Sequence, residues 1–163
     1  MQFIQATLED LDKISDLAQR IWNDHYPEII GQEQVNYMLQ RFYDKESLKK
    51  QIASNDQFFL AFDEFLNQYS GFLSITDKGE GQFFINKFYI DTQLQRNGVG
   101  NVFFNFFLEK YDPEVIRLQV NRQNYKAINF YFKNGFKIEK VADFDIGDGY
   151  FMNDFVMIWN RIR

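Results

Sequence analysis

The chain has 163 residues, a hydrophobic fraction of 45% and no cysteine. That length suits one domain with its own core, and the missing thiols exclude disulfides, thiolate zinc sites and a cysteine nucleophile. A formal net charge of −5 without a Lys/Arg run argues against a nucleic-acid binder driven by phosphate contacts.

The elements follow in chain order. The start, MQFIQATLED, lacks the basic-then-apolar order of a secretory signal. No apolar run approaches the roughly 20 residues of a membrane span, so a soluble, cytoplasmic protein without membrane contacts is expected. Residues 2–6 read as a strand. Thr7 offers an N-cap, with Asp10 three residues on as a short capping box. Leu11, Ile14, Leu17, Ala18, Ile21 and Trp22 then recur at helical spacing. After Pro27 and Gly31, Val35, Met38, Leu39 and Phe42 suggest a second helix, and Leu48 with Ile52 a third, short one.

Residues 58–62 and 69–75 read as paired strands, and the Gly-containing run 77–81 as a turn. Residues 83–90 form the next strand, on which Phe84, Phe88 and Ile90 can share a face. The following helix would carry Val99, Val102, Phe103, Phe106 and Phe107 on one side. Pro113 separates it from a strand at 115–120. A helix at 124–133 would end at Gly135, and strands at 136–141 and 150–159 flank a turn at 147–149. After the N-terminal strand and helices, the order is β-β-β-α-β-α-β-β. Short turns imply antiparallel early strands, and the strand-helix-strand unit implies a parallel crossover. One mixed α/β domain spanning 1–163 is expected.

Two segments carry chemistry. Gln95-Arg96-Asn97-Gly98-Val99-Gly100 stands where a strand becomes a helix. A helix start presents unpaired N–H groups and partial positive charge. Glycines let backbone approach a pyrophosphate, and Arg96 would add a charge-assisted contact. The hexamer is neither a Walker loop nor a dinucleotide fingerprint. Taken alone, it fits a phosphate cradle and a plain tight connection equally. The second segment, LQVNRQNYKAINFYFKNGF, places Asn124, Ala127 and Tyr131 on one helix face. A small residue there permits close approach, and Tyr131 brings a hydroxyl to the same side; packing alone also explains a tyrosine among aromatics.

Together the two segments resemble the GNAT superfamily of acetyl-CoA-dependent N-acetyltransferases. Residues 95–100 match its Q/R-x-x-G-x-G/A loop, and Asn124-x-x-Ala127-x-x-x-Tyr131-x-x-x-Gly135-Phe136 matches its second motif. The stretch IWNDHYPEIIGQEQVNYML looks like one subgroup whose members mostly lack an assigned substrate. The resemblance implies a three-layer fold with a central, mostly antiparallel, V-splayed mixed sheet flanked by helices. It implies acetyl-CoA as cosubstrate and no metal. The loop Gln95, Arg96, Asn97, Gly98, Val99 and Gly100 would hold the pyrophosphate. Phe88, Tyr89 and Ile90 would offer backbone groups to the pantetheine arm. Asn124 and Ala127 would border the cosubstrate, and Tyr131 would protonate the leaving thiolate.

The acceptor implied is a primary amine on a small molecule or peptide. Many members of the family use a carboxylate on the strand before the loop, whereas this chain has Asn86 and Lys87 there. The segment that would cap the acceptor site contains Asp24, His25, Glu28 and Glu33, with Trp22 and Tyr26 as an aromatic wall. Glu28 and Glu33 are candidates for base or ammonium anchor; His25 reads as a helix-end residue. Packing of the first helices explains the aromatics at least as well. A CoA-binding sensor without catalysis is the alternative reading, and a homodimer is compatible with the family.

Overall fold

The structure, a computed structural model, describes residues 1–94 and 98–163. It is a mixed α/β fold. Its strands are β1 (Gln2–Gln5), β2 (Gln57–Asp63), β3 (Gln68–Gly79), β4 (Gln82–Ile90), β5 (Val115–Asn121), β6 (Lys137–Gly147) and β7 (Tyr150–Asn160). They lie in the order β1-β2-β3-β4-β5-β7-β6. The helices are α1 (Leu11–His25), α2 (Pro27–Ile30), α3 (Gln32–Phe42), α4 (Lys45–Ala53), α5 (Val99–Tyr111) and α6 (Tyr125–Lys133). Strands β1–β2, β2–β3, β5–β7 and β6–β7 pair antiparallel, whereas β4 runs parallel to β5 from Gln82↔Val115 to Ile85↔Leu118.

The chain divides into two compact units. The first holds Met1–Thr76 with Lys87–Asp112, and the second Asp77–Asn86 with Pro113–Arg163.

In the first unit, Thr7 and Asp10 form the expected reciprocal box. The Glu9 amide donates to Thr7 Oγ1 (3.2 Å), and the Thr7 amide donates to Asp10 Oδ2 (2.9 Å). The box opens a 3-10 turn, Leu8–Asp10, which leads into α1. The predicted stripe of α1 is buried in full: Leu11, Ile14, Leu17, Ala18, Ile21 and Trp22. Asp44 caps α4 by accepting from the Ser47 amide (2.8 Å). Phe3 stacks on Phe103 and Phe106 of α5, each at 4.7 Å.

The face of α5 differs from the expected one. Val99, Phe103, Phe104 and Phe107 are buried, whereas Val102 is 50% exposed. The i, i+4, i+8 row from Val99 through Phe103 to Phe107 sets the buried line, and Val102 falls outside it. The helix stops at Asp112, in the left-handed region at φ 46, immediately before Pro113.

In the second unit the turn is tighter than the sequence suggests. β3 runs on to Gly79, leaving Glu80 and Gly81, both at positive φ, to reverse the chain. Gly81 O then accepts from the Glu114 and Val115 amides (2.8 and 3.2 Å), which sets β5 alongside β4. The expected strand at 136–141 extends to Gly147, because β6 pairs along nearly all of β7.

Helix α6 begins at Asn124, whose Oδ1 accepts from the Ala127 amide (3.3 Å). It ends in a Schellman motif: Phe136 N–H donates to Tyr131 O (3.0 Å), and Gly135 N–H to Phe132 O (3.1 Å). Gly135 supplies the left-handed residue that this ending needs, at φ 92. The Tyr131 and Phe136 rings meet at 5.3 Å across the cap, as apolar neighbours of such endings do.

Candidate functional site

The glycine turn lies in the first unit. The segment that precedes it is firmly held. Asp91 is buried, its amide donates to Ser70 O (2.8 Å), and its Oδ1 accepts from the Gln93 amide (3.0 Å). Arg20 Nε of α1 pairs with Asp91 Oδ2 at 2.9 Å, and Thr92 donates to Asp24 of the same helix. Arg20, Asn23, Asp24, Asp91, Thr92 and Gln93 line a small open pocket beside this turn.

Gln95, Arg96 and Asn97 lie outside the described residues. At Gly98 the backbone is left-handed, φ 70 and ψ 13, and opens α5. Among the described residues, a Cβ built there meets nothing within 4 Å. The Val102 amide donates to Gly98 O (3.1 Å), so the amides of Val99 and Gly100 have no carbonyl within the helix to reach. The first turn of α5 carries no acidic side chain. Among the described residues, this 13-residue helix therefore starts with open space and no acidic side chain in its first turn, which suits an anion.

Upstream on β4, Phe88 packs edge-on to Phe103 (5.6 Å), and Tyr89 turns to the other face. Tyr89 joins a buried aromatic group there, 5.6 Å from Trp22 and 5.4 Å from Phe72. Trp22 stacks on Tyr26 at 4.2 Å and tilts against Tyr43 at 5.6 Å. Trp22 and Tyr26 are thus core residues of the first unit, 4% and 8% exposed. Glu28 and Glu33 are exposed and lie in the first turns of α2 and α3, where an acid is favoured by the helix dipole.

Lys87 lies on the same face of β4 as Tyr89. Its Nζ sits over the Tyr43 ring (5.3 Å) and the Phe58 ring (5.8 Å). Burial pulls its pKa down to about 8, against a smaller opposing pull from Asp56. Burial also pushes the Tyr43 hydroxyl well above the usual phenol range.

In the second unit, Tyr131 and Asn124 are both buried on α6. Tyr131 contacts the Phe130 and Phe136 rings at 5.5 and 5.3 Å. Ala127 is half-buried one turn before Tyr131, on the face the sequence predicts.

A buried carboxylate that the sequence reading passed over lies on β7. Asp154 pairs in register with Asn121 of β5 and Ala142 of β6 and is 5% exposed. Burial is the main cause that lifts its pKa to about 6; Arg122 opposes the rise and Asp143 adds to it. Its signal was present in the period-2 pattern of the last strand, which puts Asp154 on the same face as the buried Val156. Among the described residues, no group of three or more His, Asp or Glu side chains is arranged to hold a metal ion.

Residues 28–144 match the family model described as an acetyltransferase (GNAT) domain, and the chain belongs to the GNAT acetyltransferases. It is an acyltransferase by that membership. Among curated proteins, it is 28% identical over 150 residues to a spermidine N(1)-acetyltransferase of Thermoplasma acidophilum, covering 86% of this chain and 91% of that protein. Solved structures share the fold. The PaiA N-acetyltransferase of T. acidophilum, crystallised in complex with coenzyme A, superposes with a TM-score of 0.77 at 24% identity, over 98% of both chains. A GCN5-related N-acetyltransferase of Rhodopseudomonas palustris gives 0.81 at 13% identity, covering 98% of this chain and 95% of that one.

Proposed function

We propose that this chain moves the acetyl group of acetyl-CoA to a primary amine of a small molecule or peptide, by direct attack with both substrates bound. The observation that carries the reading is the start of α5: a left-handed Gly98 with open space around it among the described residues and no acid in the first helical turn, within a chain of the GNAT family. The loop 95–100 would hold the pyrophosphate through backbone N–H groups. Backbone groups of Phe88, Tyr89 and Ile90 would guide the pantetheine arm and polarise the thioester carbonyl. A fixed donor there stabilises the oxyanion more in the transition state than in the ground state.

Asn124 and Ala127 would border the cosubstrate. Tyr131 would give a proton to the departing thiolate through its hydroxyl. Glu28 and Glu33 would belong to the acceptor side, whereas Trp22 and Tyr26, buried in the core of the first unit, take the packing role. Holding amine and thioester together would supply much of the rate.

For the acceptor, a small polyamine is the first choice. One relative is a spermidine N(1)-acetyltransferase, and the formal charge of −5 favours a cationic ligand. The experiment is release of CoA thiol from acetyl-CoA in the presence of spermidine, with the product identified by mass. Thiol release that depends on the amine supports the reading; acetyl-CoA binding without release in any amine panel would favour the sensor alternative.

A further inference from the structure

Helix α1 holds the end of β4 at two points, through residues one turn apart on one face. Arg20 Nε pairs with Asp91 Oδ2 at 2.9 Å, and Arg20 Nη2 donates to Tyr69 O of β3 at 3.2 Å. Asp24, four residues on, accepts from the Thr92 hydroxyl. Asp91 is 7% exposed, and both its carboxylate oxygens are used. Oδ1 accepts from the Gln93 amide at 3.0 Å, and Oδ2 takes the guanidinium. Its backbone is used as well: its amide donates to Ser70 O (2.8 Å), and its carbonyl accepts from the Leu94 amide (2.9 Å). One buried aspartate thus ties β3, the turn 91–94 and α1 together, all within the first unit.

The Arg20 side chain is 52% exposed and Asp24 is exposed, so the contacts that α1 contributes are worth little to global stability. What they share is their place in the chain. Asp91 follows directly on residues 88–90, and Leu94 stands four residues before Gly98, so at most roughly 14 Å of chain can separate Leu94 from the start of α5. The far end of that stretch is fixed independently: Val99 is buried, and Phe103 stacks on Phe3 at 4.7 Å. A binding segment held at both ends loses less freedom when its ligand arrives.

We propose that Arg20 and Asp24 are positioning residues for acetyl-CoA: through Asp91 and Thr92 they set the end of β4 and the turn after it, so that the cosubstrate meets a preformed site. The inference rests on the acetyl-transfer reading above, in which the backbone of residues 88–90 and the start of α5 hold the cosubstrate. Neither side chain needs to touch the ligand, and the sign of the effect separates positioning from simple electrostatics. CoA is a polyanion. If charge alone mattered, removing a nearby carboxylate would tighten its binding. Removing Asp24, or neutralising Asp91, should instead weaken it, because the hold on the turn is lost.

The test is calorimetric titration of acetyl-CoA into the whole chain, wild type and variants, with melting temperatures by circular dichroism as the folding control. Asp24→Ala, Thr92→Val and Arg20→Met should each weaken binding by roughly 10-fold and lower the melting temperature by no more than about 2–4 °C. Asp91→Asn keeps an acceptor for the Gln93 amide and should weaken binding by a similar factor. The double variant of Arg20→Met with Asp91→Asn should bind no more weakly than the weaker single variant, because both changes break one contact. In thiol-release assays with spermidine, each variant should raise KM for acetyl-CoA more than it lowers kcat. Asp24→Ala or Asp91→Asn binding as tightly as wild type, or more tightly, overturns the assignment, and so does a double variant whose losses add. If Asp91→Asn does not fold, Asp24→Ala and Thr92→Val decide the matter by the same criterion. A wild type that binds no acetyl-CoA contradicts the acetyl-transfer reading itself.

Discussion

Replacing Gly71 with alanine perturbs the strand proposed to guide the pantetheine arm. Gly71 lies on β3, opposite Ala61 of β2. A Cβ added there would stand 2.4 Å from Tyr89 O, 2.8 Å from Ile90 Cδ1 and 3.2 Å from Ile90 Cα. Ile90 Cδ1 can swing aside, but Tyr89 O is backbone. It must retreat by about 0.6 Å merely to reach the 3.0 Å that real Cβ contacts respect, and overpacking of this kind costs roughly 1–3 kcal/mol. For a chain of this size each kcal/mol lowers the melting temperature by about 2–4 °C, so a fall of about 2–12 °C is expected. Because Tyr89 and Ile90 must shift, acetyl-CoA affinity should fall in parallel. Thermal unfolding by circular dichroism and calorimetric titration read the two effects. A melting temperature within about 1 °C of wild type would refute the steric argument. Unchanged acetyl-CoA affinity in a destabilised variant would refute the role of residues 88–90.

Tyr131→Phe keeps the ring contacts with Phe130 and Phe136 and removes the proposed acid. Turnover should fall by about 100-fold with acetyl-CoA affinity unchanged, as read by steady-state rates and calorimetry. Lys87 has a depressed pKa, about 8 against 10.5, so the unfolded chain binds its proton more tightly than the folded one. Lys87→Met should therefore be more stable than wild type at neutral pH, by about 3 kcal/mol at most. Denaturant titrations should show that advantage shrinking as pH rises through 8 and vanishing above 10.5. Asp154 is the opposite case, with a pKa raised from 3.8 to about 6. Asp154→Asn should be more stable than wild type above pH 6 and indistinguishable below 3.8, again by denaturant titration.

Much of the fold was legible because it rests on local rules. The Thr7 box, the six-residue stripe of α1 and the Gly135 ending of α6 each follow from residues within one or two turns of each other. The buried face of α5 was less legible. Its sequence, VGNVFFNFFLEKY, is apolar nearly all round, so periodicity alone could not separate Val102 from Phe104. The length of β6 was hidden for a different reason: it is set by pairing with β7, and its own residues are mostly exposed.

In the candidate site, the sequence showed the backbone roles of Gly98, left-handed at the start of α5, and of Asn124, the cap of α6. Residues 95–97, which include the first fixed position of the loop motif, Gln95, lie outside the described residues. Asp154 escaped because a carboxylate on a strand reads as solvent-facing until cross-strand partners show its burial. Lys87 drew notice only as a departure from an expected carboxylate; its seat over two aromatic rings needs tertiary structure to be seen.

Calorimetric titration of acetyl-CoA into the wild type and Gly98→Asp is the most direct test. A side chain at Gly98 meets no described atom within 4 Å, but its left-handed backbone (φ 70) costs a non-glycine residue roughly 1–2 kcal/mol, so circular dichroism serves as the folding control, while the carboxylate would oppose an anion at the start of α5. The account predicts micromolar binding to the wild type, none of it reproduced by ATP, and loss of binding in Gly98→Asp. Equal affinity in the two proteins, or no binding to the wild type, would contradict it.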